Sequence, residues 1–234
     1  MASPTILIPI EFPDPDPLPS TFVEGLTSCK VVLLGVYDLS DDVDDDERHR
    51  REIEAYQSLY TLASSFVRRG ETAEVELVMG EDASAAPTRV AEERDVDAVL
   101  VPNPITTLGH VLVAIRDEKF AEPAAELLSS LDEEVLLHVS LLHVAETEAD
   151  VEAGEDLLSQ VKRRLVDEGF SQVSIDTEVV VSDDPAFAIA QAGRDDDLVI
   201  MGETQQPNVE RVFGKTYDTV ADRLERPILV VRED

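Results

Sequence analysis

The chain has one cysteine, no tryptophan, and only 19 basic residues against 51 acidic ones in its 234 positions. The lone Cys29 excludes an internal disulfide, suits a reducing cytoplasm, and reads as a small core residue. The shortage of positive charge leaves a formal net charge of -32. Such a surface repels phosphate backbones and anionic lipid, so neither nucleic acid nor a membrane surface is an expected partner. Lysine is scarcest, with Lys30, Lys119, Lys162 and Lys215 only; the other basic residues are arginine. Acid excess with little lysine fits the salt-filled cytoplasm of a halophile, where dense counter-ions screen self-repulsion. An acidic mesophilic protein is the alternative. Long apolar runs are also missing. Ala98 to Ile115 carries no formal charge, but Pro102, Asn103, Pro104 and His110 interrupt it, so it reads as two buried strands and a loop, not a membrane span. No basic leader or small-residue cleavage site precedes Thr5, and a cytoplasmic protein without a signal peptide is expected.

What is present is a repeated pattern. Residues 5–11 (TILIPIE) and 110–116 (HVLVAIR) read as matching first strands, and 94–102 (RDVDAVLVP) and 194–202 (RDDDLVIMG) as matching late strands. The two offsets nearly agree, as in a duplicated unit with altered loops. In the second half, strands are expected at 111–115, 135–144, 173–181, 198–201 and 228–231. Helices fall between them at 122–131, from Val151 to a stop at Gly169, from the Asp184 N-cap with Pro185 to Ala192, and in a last segment ending near Glu225. This alternation predicts an α/β fold with a doubly wound, Rossmann-like parallel sheet. The first half repeats it with strands near 5–10, 31–36, 75–79 and 98–101, and a long helix whose apolar face is assigned to Ile53, Tyr56, Tyr60, Ala63 and Val67. Too few residues then remain before the next first strand for a helix and a strand. The expectation is therefore two tandem domains, 1–106 and 107–234, the first truncated at its last αβ unit. Pro13, Pro15, Pro17 and Pro19 stiffen the first loop into an extended path.

The four histidines offer no metal site: His138 and His143 are an odd number apart on one strand and so face opposite sides. The acid run from Asp41 to Glu47 lacks the glycine and spaced ligands of an EF-hand and reads as the entry to a helix, where acids are favoured. Gly214-Lys215-Thr216 is not a P-loop, because Val209 stands where its first glycine belongs.

The second half resembles the universal stress protein family. The residues that carry the likeness are VLVAI at 111–115, LLHV at 141–144, SDDPAFAIAQAG at 182–193, DLVIMGET at 197–204 and FGKTYDTVADRLERPILVV at 213–231. In a doubly wound sheet a ligand sits outside the carboxyl ends of strands one and four, here Ile115, Arg116, Val144, Gly202 to Gln206 including Thr204, and Gly214 to Thr216. The resemblance implies ATP or AMP there. Family members that bind ATP use an Asp at the end of strand one, backbone groups near a strand-two Val, and a loop G-x-x-G-x9-G-[ST]. Val144 and Gly202 fit that pattern, Arg116 replaces the Asp, and Gln205 replaces the second glycine. In a strict count Lys215 takes the third glycine position and Thr216 the hydroxyl; with one deletion Gly214 and Lys215 do. Arg116 and Lys215 would compensate as phosphate-binding charges; the alternative is a loop that has lost its ligand. In the first half Glu11 stands at the Asp position and the glycine loop is missing. The family further implies a non-enzymatic regulatory module, either sensing an adenine nucleotide or acting without ligand on a partner such as a transporter. Its common mode of pairing implies a homodimer through Ile228–Val231, with pairing to the first copy as the other use of that edge.

Overall fold

The computed structural model describes residues 3–232 apart from 27, 41, 71, 81–82, 102, 104, 106, 133, 204–219, 221–222 and 225. Its first half runs β1 (Thr5–Phe12), α1 (Ser20–Gly25), β2 (Lys30–Asp38), α2 (Asp45–Val67), β3 (Ala73–Gly80), α3 (Ala86–Glu93) and β4 (Ala98–Val101). The second half runs β5 (His110–Ala114), α4 (Glu118–Ser129), β6 (His138–Ala145), α5 (Val151–Asp167), β7 (Ile175–Val181), α6 (Pro185–Ala192), β8 (Leu198–Gly202) and β9 (Ile228–Val231). Capping side chains set the helix starts. Asp44 accepts from the Glu47 amide at 2.9 Å, Asp117 from Phe120 at 3.2 Å, and Asp184 from Phe187 at 3.0 Å, the last with Pro185 in the first turn. Each carboxylate satisfies an amide that the helix itself leaves unpaired. The acid run before α2 is thus a helix entry, and α4 starts earlier than its apolar spacing indicated because Asp117 caps it.

The strands form one nine-stranded sheet in the order β3-β2-β1-β4-β9-β8-β5-β6-β7. From its two ends inward this reads as the same winding twice, 3-2-1-4 and 7-6-5-8, with β9 added only to the second. Every pairing is parallel except β4 with β9, where Val99 faces Val230 and Leu100 faces Leu229. The other edge of β9 pairs with β8, Ile200 facing Leu229. A homodimer through Ile228–Val231 is therefore corrected: both edges of that strand are taken within the chain, because the first half ends at β4 and leaves that edge to be covered.

Alternating residues send side chains to opposite faces of the sheet. On one face, Ile6, Leu33, Val113 and Leu229 pack with Phe66 of α2, Phe120 of α4 and Leu158 of α5 in one core that spans both halves. The other face holds two separate clusters: Leu34 and Val99 with Val90 of α3, and Leu112 and Val230 with Ile189 of α6. The long helix buries Ala55, Leu59, Ala63 and Phe66. Of the face assigned from sequence only Ala63 is buried, while Ile53, Tyr60 and Val67 are exposed. α2 carries two apolar stripes, and the one with small residues at 55 and 63 allows closer approach to the sheet. Polar contacts tie the halves together. Asn103 donates to the carbonyls of Leu224 and Arg226, and Arg232 donates to those of Ala91 and Val96. Cys29 is buried, with its Sγ 3.3 Å from Ser130 Oγ.

Candidate functional site

At the carboxyl ends of β5 and β8, where the winding reverses, a crevice of about 230 Å³ opens between α4 and α6. Ile115, Arg116, Val144 and Gly202, four of the residues expected at the site from sequence, line it together. Thr204, Gly214, Lys215 and Thr216 lie outside the described residues. The remaining walls are Ala114, Leu142, Met201, Phe120 of α4, and Pro185 and Ile189 of α6, with Glu146 at the rim. None of these carried a sequence signal for a site: the apolar ones read as ordinary core, Pro185 as the start of a helix, and Glu146 as a surface acid.

Local packing shapes the walls. A Cβ on Gly202 would lie 2.8 Å from Cδ2 of Phe120, so glycine lets the buried ring close under the strand end. On the same face of the sheet as Phe120, His143 donates from Nδ1 to the Ile115 carbonyl at 2.8 Å and packs under Gly154 of α5. It fixes the backbone at the mouth without entering the crevice. His138 lies on the other side of the sheet beside His110, ring centroids 5.8 Å apart, so the two histidines of β6 do face apart as expected.

Arg116 donates from Nε to Asp117 at 2.9 Å and from Nη1 to the Glu203 carbonyl at 3.3 Å. Its guanidinium thus spans the ends of β5 and β8. Burial pushes the Asp117 carboxyl up, but the Arg116 guanidinium and the Phe120 amide outweigh it and hold it below its ordinary value. On α6 the Phe187 amide, and then the Arg223 guanidinium, hold Asp184 below its ordinary value. Chemically, the crevice offers a mostly apolar slot with one cation, Arg116, at its mouth among the described residues. That suits a planar heterocycle bearing an anionic tail better than a wholly polar ligand.

The equivalent end of the first half differs. There Pro17 and Leu18 of the proline-rich loop lie over Ile8, Ile10 and Leu100, beside Glu11, Asp14 and Asp16, leaving about 100 Å³.

Residues 107–232, more than half of the chain, match the universal stress protein family. The chain belongs to that family. No curated protein sequence matches it. Solved structures share its fold at low identity. A universal stress protein from Archaeoglobus fulgidus DSM 4304 is 17% identical with a TM-score of 0.61, covering 98% of this chain and 96% of its own. A putative universal stress protein from Pseudomonas aeruginosa UCBPP-PA14 is 18% identical at 0.55, covering 100% and 94%. The cytoplasmic domain of a prokaryotic cation chloride cotransporter is 12% identical at 0.51, covering 97% and 95%. These likenesses extend over both halves. The universal stress protein fold therefore accounts for the first half too, although the family match itself begins at residue 107. Among the described residues no helix is long and apolar enough to cross a membrane.

Proposed function

We propose that this universal stress protein is a non-enzymatic, cytoplasmic regulatory module of a halophile that binds one adenine nucleotide, ATP or AMP, in the crevice of its second half. In this reading residues 1–106 are a truncated copy of the unit formed by 107–234. The observation that carries it is the asymmetry between the two strand-end sites. One is an open apolar slot with Arg116 at its mouth, and the other is narrowed by Pro17 and Leu18. The base lies between Val144, Ile189 and Met201, and the phosphates run toward Arg116, with Gly214, Lys215 and Thr216 retained from the sequence pattern as further phosphate contacts. Affinity is weak, in the micromolar range or poorer, about 8 kcal/mol or less. The Arg116 guanidinium already serves Asp117 and Glu203, and part of its attraction for phosphate is spent there.

That same engagement favours a second reading, a ligand-free module acting through a protein partner such as a transporter. Calorimetry with ATP and with AMP in high KCl separates the two. One site per chain, abolished by Arg116→Ala with Lys215→Ala while the circular dichroism spectrum holds, is the expected result. Two sites per chain refute the assignment, and no heat with either nucleotide favours the ligand-free module.

A further inference from the structure

Large exposed apolar side chains gather on one helix. Ile53, Tyr60 and Val67 of α2 are 45%, 61% and 56% exposed, and half-buried Tyr56 stacks on Tyr60 with ring centroids 6.0 Å apart. At 3.6 residues per turn these four lie within about a sixth of a turn of one another, and about a quarter-turn from the buried face. The opposite flank of α2 is used differently. There Ser58, Leu62 and Ser65 form an open groove with Pro15–Leu18 and Ile10 of β1. The stripe therefore lies on the flank away from β1, on the side of β3, the last strand of the sheet. The outer backbone edge of β3 has no partner strand among the described residues. An apolar stripe next to an unpaired edge is a surface that soluble proteins cover. The far edge is guarded instead: β7 exposes Asp176, Thr177 and Glu178.

We propose that a second copy of this chain docks here about a two-fold axis, β3 pairing antiparallel with its own symmetry mate and the two α2 stripes closing over the joint. Three features favour self-association. The first is spacing. α2 packs on both β2 and β3, so its axis lies about half a strand spacing, about 2.4 Å, inside β3. Across a new pairing the two helices come about 10 Å apart, within the usual packing distance. The second is register. With Leu77 facing itself, Val75 meets Met79 and Glu76 meets Val78, so no carboxylate opposes another across the joint.

The third is charge. Residues 45–69 hold five acidic side chains (Asp45, Asp46, Glu47, Glu52, Glu54) and five basic ones (Arg48, Arg50, Arg51, Arg68, Arg69) in a chain of net -32. Two such chains repel over most of their surface, whereas α2 is balanced in charge and the two carboxylates of β3, Glu74 and Glu76, are both paired with Arg94. Antiparallel helices also bring Asp45 and Asp46 of one copy toward Arg68 of the other, a complementary pairing. The contact is isologous and closes, so it yields a dimer and not a filament.

Light scattering in molar KCl tests the assignment on the full chain. The wild type is expected at roughly twice its 25.7 kDa chain mass. Tyr60→Glu and, separately, Ile53→Glu are expected to halve that mass without changing the circular dichroism spectrum. Amide exchange over Val75–Met79 should slow as protein concentration rises. A monomeric wild type overturns the proposal. So does a dimer mass that persists in both substitutions, or a dimer whose β3 amides exchange at the same rate at every concentration.

Discussion

Gly202 joins the crevice to the core through one contact. A methyl group there would press on Phe120, which is fully buried. Gly202→Ala is expected to lower stability by roughly 1–3 kcal/mol, the usual cost of overpacking, read from the urea midpoint at constant slope. An unchanged midpoint would mean that the ring shifts freely and does not set the crevice floor. At this scale the site was half legible. Ile115, Arg116, Val144 and Gly202 meet at one crevice because a doubly wound sheet brings its strand ends together there, and alternation of strands and helices is visible in sequence. Phe120, Ile189 and Met201 were not visible, because an apolar side chain lining a slot has the same periodicity as one filling a core. Set apart from His138 by its odd spacing on the strand, His143 faces α5. Its hydrogen bond to the Ile115 carbonyl has no sequence signal, since it depends on the register of β5 against β6.

Among the elements, β9 is the keystone. It is four residues long, all buried, and pairs parallel to β8 on one side and antiparallel to β4 on the other. Proline at its centre would remove a ladder hydrogen bond and clash within an interior strand, where proline is essentially absent. Leu229→Pro is expected to cost about 3 kcal/mol or more and to separate the two halves of the sheet. The signs would be loss of the cooperative thermal transition and a larger hydrodynamic radius. A variant that keeps the wild-type melting curve would show that the β4–β9 joint contributes little. The positions of the strands were legible from short Val- and Ile-rich runs between turn residues. The partner of β9 was not, because an apolar four-residue run pairs equally well with its own chain or with another. The deciding fact is spatial: the first half stops at β4, so the edge that needs covering lies next to it. The buried face of α2 was misassigned for a related reason. Helical period alone ranks the stripe of Ile53, Tyr56, Tyr60 and Val67 as highly as that of Leu59 and Phe66. Close approach to the sheet, made possible by Ala55 and Ala63, chooses between them.

Over the whole molecule the dominant force not yet balanced is charge. Residues 1–106 carry 22 acidic against 8 basic side chains, a net of -14, and residues 107–234 carry 29 against 11, a net of -18. The two halves therefore repel across the very sheet that joins them. Most ion pairs among the described residues are exposed, such as Arg50 with Glu54 and Arg223 with Asp184, and surface pairs contribute only about 0–1 kcal/mol each. What remains is screening. The Debye length shrinks from about 10 Å at 0.1 M salt to about 3 Å at 1 M, so repulsion between carboxylates a helix diameter apart is largely removed over that range. Relieving a few kcal/mol in a chain of this size raises the melting temperature by about 10 °C. Melting curves in 0.1 to 3 M KCl should show a rise of that order, steepest below 1 M, where the screening length changes most. A rise that begins only above 1 M would point to general exclusion of salt from the protein surface, and a flat midpoint would show that the two acidic halves hold together without counter-ions.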